Sequence, residues 1–119
     1  MNDNIIEVIK KIISRPQMFL KNKSSNNLFR FLDGYYFYKN SNKLRNCIDD
    51  FFWSNFLEYL LAKFDISNKK YTVEDILKLK TNSDSESFEL FIELFNSFYV
   101  ENLREITNLS NKYFPNKND

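Results

Sequence analysis

The chain has 119 residues, 43% apolar and 28% charged, with one Gly, two Pro, one Cys and no His. That length, with 13 Phe and 7 Tyr to build a core, predicts one folded domain and argues against disorder. A single cysteine, Cys47, excludes an intramolecular disulfide, and without His there is no ligand set for a Cys/His zinc site, so neither metal nor cofactor is expected.

Helical periodicity runs through the chain. Ile5, Ile6, Ile9, Ile12 and Ile13 form one stripe, with Asp3 or Asn4 as a cap, and Pro16 stops that helix after Ser14 and Arg15. Ser24 or Ser25 caps a second helix with Leu28, Phe31, Leu32 and Tyr35 on one face. A third, over about 46–64, is apolar around most of its circumference, which predicts a buried central helix. Thr72-Val73-Glu74-Asp75 has capping-box spacing before a short helix containing Val73, Ile76, Leu77 and Leu79. Ser83-Asp84-Ser85-Glu86 is a second box and opens the longest helix, ending near Leu109. Its apolar sector holds Phe88, Phe91, Ile92, Phe95, Phe98, Tyr99, Leu103 and Ile106. Tight hairpins want Asn-Gly or Asp-Gly, and the only Gly, Gly34 in Asp33-Gly34-Tyr35, lies inside a helical pattern, which argues against an all-β fold. A helix-interior Gly costs about 1 kcal/mol relative to Ala, which predicts a close backbone approach at Gly34. The expected fold is all-α: a compact single-domain bundle of about five helices around a buried central third helix, occupying 1–114, with 115–119 a frayed tail.

No apolar run approaches the roughly 18–20 residues of a membrane span, and the N-terminus has no uninterrupted apolar stretch of signal-peptide type. A soluble, cytoplasmic protein of a reducing compartment is expected. Asn, Lys, Phe, Ile and Tyr make up 60 of the 119 residues, all with A/T-rich codons, as a low-GC genome would produce. Residues 1–45 carry nine Lys/Arg against three Asp/Glu, and residues 46–119 carry eight against thirteen. These net charges of +6 and −5 attract each other within one fold or offer two surfaces to partners. The overall +1 is not the basic balance of a nucleic-acid binder, although Lys10, Lys11, Arg15, Lys21, Lys23 and Arg30 form a basic N-terminal set.

The inventory does not point to an enzyme. His, the usual neutral-pH base, is absent, and there is no Gly-rich phosphate loop. Asp49-Asp50 and Glu74-Asp75 are adjacent pairs whose side chains diverge by about 100° on a helix, so neither is a shared dyad. Cys47 begins the central helix, where a helix N-terminus lowers a thiol pKa, but a small buried thiol is the simpler reading. Binding is better represented. Glu89, Glu93, Glu101 and Glu105 share an i,i+4 row on the last helix, with Glu86 and Asp84 extending it, and such a row suits a basic patch on a partner. Tyr36 and Tyr38, beside Tyr35, are candidate aromatic anchors.

Arg15-Pro16-Gln17-Met18-Phe19-Leu20, followed by Leu28-Phe29-Arg30-Phe31-Leu32-Asp33-Gly34-Tyr35, resembles an RPxMYLG … LxxFLxGY pattern. That pattern is found in small α-helical immunity-type proteins of bacterial polymorphic toxin and contact-dependent growth inhibition systems. The apolar block at 52–64 and the segment 85–95 resemble the family's tail, so the likeness spans roughly 5–100. Lys21 stands where the pattern has Gly, and Tyr71 where it has Trp. The resemblance implies binding rather than chemistry: occlusion of the active site of one cognate toxin C-terminal domain. Glu89, Glu93 and Glu101 would be the principal contacts, and Met18 and Phe19 would plug the core. The alternative is a phage- or mobile-element-derived regulatory adaptor that binds a host protein.

Overall fold

The computed structural model describes residues 4–113 and contains seven helices. These are α1 (Ile5–Ser14), α2 (Pro16–Leu20), α3 (Ser25–Ser41), α4 (Cys47–Lys63), α5 (Val73–Lys80), α6 (Asp84–Glu101) and α7 (Leu103–Tyr113). The all-α class holds, and the helix count rises from five to seven for two physical reasons. Pro16 ends α1, but its fixed φ also suits the first turn of a helix, and it opens α2. The long last helix breaks at Asn102, where φ is −112° and ψ is 14°. The Phe98 carbonyl there accepts both the Asn102 side-chain amide at 2.9 Å and the Asn102 backbone N–H at 3.0 Å. Asp3 and the segment 115–119 lie outside the described residues.

Local chemistry sets most helix starts. Asn4 caps α1 by accepting from the Glu7 amide, and Ser24 caps α3 by accepting from Asn27. Thr72 and Asp75 close both halves of a capping box, and the Thr72 backbone and side-chain bonds hold the Asp75 carboxyl below its usual pKa. Asn46 and Asp49 form another box at α4. At α6 only half a box closes: Ser83 accepts from the Glu86 amide, while the Glu86 carboxylate reaches the Asn82 amide. The ends of α3 and α4 are Schellman motifs without glycine. Lys43 and Asp65 both adopt φ 54°, and the amides of Leu44 and Ile66 reach back to Lys39 and Leu61 at 2.8 Å.

α4 and α6 share the centre. α4 packs on α1, α5, α6 and α7, and α6 additionally on α3. Phe52 and Phe56 of α4 interleave with Phe91, Phe95 and Phe98 of α6; the Phe52 and Phe56 rings stack at 4.9 Å and Phe56 meets Phe98 edge to face at 5.3 Å. Leu94, outside the predicted sector, is buried in the same cluster, whereas Leu103 and Leu79 are exposed. α4 is central but not enclosed, because Ser54, Asn55 and Glu58 keep one face in water.

Two carboxylates join helix ends. Asp49, 1% exposed, accepts from the Ile5 amide at 2.8 Å and the Asn46 amide at 3.1 Å, and pairs with Lys39 Nζ at 3.3 Å. It therefore sits at the positive ends of α1 and α4 while holding the buried ammonium of α3. Asp84 does the same for α3 and α6, accepting from Ser24 Oγ at 2.6 Å and the Asn26 amide at 2.8 Å.

Two structural roles expected from the motif residues are not found. Met18 is 66% exposed and Phe19 also lies at the surface, its ring edge-on to Phe31, so neither plugs the core; Pro16 and Leu20 are the buried members of α2. A five-residue helix has one inward face, and Pro16 and Leu20, four apart, occupy it. Gly34 has a helical φ and nothing within 4 Å of where a Cβ would stand, so no backbone approaches it. Lys21, by contrast, adopts φ 70° and ψ −40°, a conformation that favours glycine.

Gly34→Ala is therefore expected to stabilise the fold by about 0.5–1 kcal/mol, and Lys21→Gly by about 1 kcal/mol, as read by urea denaturation. Lys39→Met or Asp49→Asn alone should each destabilise by about 3–5 kcal/mol by stranding a buried charge or its hydrogen-bond donors. The double variant should lose clearly less than the sum of the two, the mark of a direct pair.

Candidate functional site

The predicted acidic row is real as a surface but is not one straight line. Glu86, Glu89, Glu93, Glu101 and Glu105 are all exposed, with the first four on α6 and Glu105 beyond the Asn102 break on α7. Positions four apart advance about 40° on the helical wheel, so Glu101 lies about 120° from Glu89. Glu89, Glu93, Asn96 and Val100 make the outward stripe, and Val100 is 70% exposed. The same arithmetic applied to the sequence would have placed Val100 beside Glu93. Ser97 and Glu101 turn toward α4, where the buried Tyr59 hydroxyl lies. Burial, and after it the Glu101 carboxylate, push the Tyr59 pKa up.

The row's members also differ in what they already do. Glu86 and Asp84 are engaged in caps. Glu89, Glu93 and Glu105 make no ion pair or hydrogen bond among the described residues. Several N-terminal cations, in contrast, are neutralised within the fold: Arg30 by Asp33 and Glu74, Arg45 by Asp50 at 2.6 Å, Lys10 by Glu7. The adjacent carboxylates do diverge as expected, since Asp49 is buried and Asp50 faces Arg45, while Glu74 takes Arg30 and Lys78 and Asp75 caps α5.

The two tyrosines are not part of that face. Tyr36 is half-buried, edge-on to Trp53 at 5.5 Å with the Arg45 guanidinium 5.3 Å from its ring, and burial raises its pKa. Tyr38 is 56% exposed near the end of α3. Between α3, α4 and the start of α5 runs an aromatic groove lined by Tyr36, Phe37, Trp53, Leu57 and Tyr71. Of this group only Tyr36 carries a binding expectation in the sequence, because a gap between two helices has no periodic signature in either one.

Cys47 is half-buried at the first turn of α4, and desolvation raises its thiol pKa despite the helix N-terminus. Among the described residues there is no group of three or more His, Cys, Asp or Glu placed to hold a metal ion, and no helix long and apolar enough to cross a membrane. No protein-family model matches the chain, and neither a curated protein nor a solved structure matches it significantly.

Cys47, Tyr36 and Tyr59 all bind their protons more tightly folded than unfolded. Their contribution to stability is therefore complete below the unfolded values, about 8.5 for Cys and about 10 for Tyr, and declines as pH rises through the folded ones. Thermal unfolding followed from pH 7 to 11 should show a falling midpoint above pH 8.5, and Cys47 at pH 7.5 should react with a thiol reagent several-fold faster in urea than in buffer.

Proposed function

We propose that this protein is an immunity-type inhibitor acting in the cytoplasm: a rigid helical domain that binds one cognate bacterial toxin domain and blocks access to its active site. The observation that carries the reading is the exposed, unpaired stripe of Glu89 and Glu93 on α6. α6 is anchored along its opposite side by Phe88, Phe91, Phe95 and Phe98, all essentially buried, so the carboxylates are presented on an element that does not need ordering on binding. Unpaired acidic groups on such an element steer a basic surface and fix its register. A toxin that grips phosphates with Lys and Arg has such a surface, and carboxylates laid across it exclude the substrate. Val100 and Leu103, exposed at the end of the stripe, supply apolar contact beside the charge.

The motif resemblance supports the same reading. Pro16, Leu20, Leu28 and Leu32 are its buried members and set the α2–α3 corner, and Lys21, at the position where the pattern has Gly, has the positive φ that glycine would relax. These residues build the fold and leave the outward face of α6 free for a partner.

A tagged pull-down from the native cell, with stoichiometry read from the eluate, tests the proposal. The expected result is one toxin domain at a one-to-one ratio, encoded immediately upstream. Glu89→Lys with Glu93→Lys should weaken that complex about 10-fold or more, chiefly through the association rate at low salt, with helix content unchanged. A complex unaffected by the reversal would keep the inhibitor reading and move the interface off α6. A host regulatory protein in place of a toxin would assign the chain as an adaptor.

A further inference from the structure

α3 packs on α2 and α6, whereas α4 packs on α1, α5, α6 and α7. The facing flanks of α3 and α4 are bridged by side chains, Tyr36 edge-on to Trp53. Two open cavities share Asp33 and Trp53 as common lining. One, of about 450 Å³, extends to Phe37 and Asn40; the other, of about 520 Å³, extends past Leu57 to Tyr71 in the α4–α5 loop. The result is an elongated aromatic groove rather than a closed pocket.

Three features of this groove have no role within the fold. The Trp53 indole N–H is buried with no acceptor, which is uncommon for a native donor. Phe37 leaves 73% of its surface in water on the rim. At the far end Lys69 and Lys70 are exposed and make no ion pair among the described residues, beside an Arg30 whose charge is already met by Asp33 and Glu74. An elongated groove with aromatic rings along it and an indole donor in its wall suits an extended peptide, whose side chains fill the gaps between rings while its carbonyls take the donor. Unpaired lysines at one end select for carboxylates at the matching end of the occupant.

We propose that the α3–α4 groove is a docking site for an extended peptide segment of a partner protein, acidic at the end that meets Lys69 and Lys70. A shift of the Tyr36 ring off Trp53 brings the indole N–H to a peptide carbonyl, and Phe37 and Tyr71 close on the side chains to either side. No residue of α6 or α7 lines the groove, so the site stands or falls independently of the acidic face.

A random-peptide display library selected on the wild-type protein, with Lys69→Glu/Lys70→Glu and Trp53→Phe selected in parallel, provides the test. Wild type should enrich sequences that pair Asp or Glu with aromatic or proline residues. A synthetic peptide from that pool should move the single indole N–H resonance of ¹⁵N-labelled protein downfield and bind the double charge reversal about tenfold more weakly. The two lysines are exposed loop residues, so the reversal remains informative even if Trp53→Phe compromises folding. No enrichment over background, equal affinity for the charge-reversed variant, or an unmoved indole resonance would each overturn the proposal. Peptide binding lost in Glu89→Lys/Glu93→Lys would overturn it too, by assigning the peptides to α6, whereas loss of a toxin complex with the groove still occupied would leave it standing.

Discussion

A carboxylate closed off from water at the meeting point of three helices sets the frame of this molecule. Asp49 belongs to the first turn of α4, yet it accepts from the first amide of α1 and holds the ammonium of Lys39 from α3. Two helix N-termini brought together repel through their partial positive charges and their unpaired amides; one anion between them answers both problems. Asp84 repeats the arrangement for α3 and α6. Four of the seven helices thus start at two shared anions, and their directions are set before any apolar side chain is considered.

With those starts in place, the phenylalanines fill what lies between. α4 and α6 are pulled into register by interleaved rings, and α3 is tied to α6 at Asp84 and by the Phe29–Phe91 edge contact at 5.8 Å. α3 reaches the α4 region chiefly through side chains, Lys39 to Asp49 and Tyr36 to Trp53. The outward glutamates of α6 and the cleft beside α3 are thus two results of one arrangement: a helix anchored on its inner side exposes a rigid outer one, and two helices anchored to a third leave a seam between themselves.

How much of this was legible in the sequence depended on the range of the interaction. Caps are local, so Thr72 with Asp75 and Ser83 were readable, and Asn4 and Ser24 were each one of two neighbouring candidates, because donor and acceptor lie within a few residues. The isoleucine stripe of α1 and the phenylalanine sector of α6 were readable for the same reason, since periodicity is a property of one segment. That Asp49 and Asp50 diverge was legible from helix geometry, but which one turns inward was not, because the partners Ile5 and Lys39 of Asp49 are far along the chain. Pro16 was legible as a stop but not as a start, as proline serves both. The break at Asn102 is a change of one residue's backbone angles, which a pattern of apolar residues does not register. The acidic row and its drift around the helix were both legible, since four residues advance about 400°; that Glu101 ends near Tyr59 was not, because Tyr59 belongs to another helix. The groove was invisible because it belongs to a pair of helices and to neither alone.

The backbone of Lys21, Lys43 and Asp65 carries a wider consequence. Each is a left-handed or near left-handed position occupied by a residue with a Cβ, while the chain's one glycine stands in an open helical turn that has no use for it. Single substitutions that would raise stability are therefore within reach, and they have not been fixed. Selection on this sequence has tolerated a fold that is stable enough rather than one as stable as its topology permits. Its turns are where mutation can drift in either direction at small cost, so divergence should accumulate there first while the two carboxylates shared between helix starts hold the architecture constant.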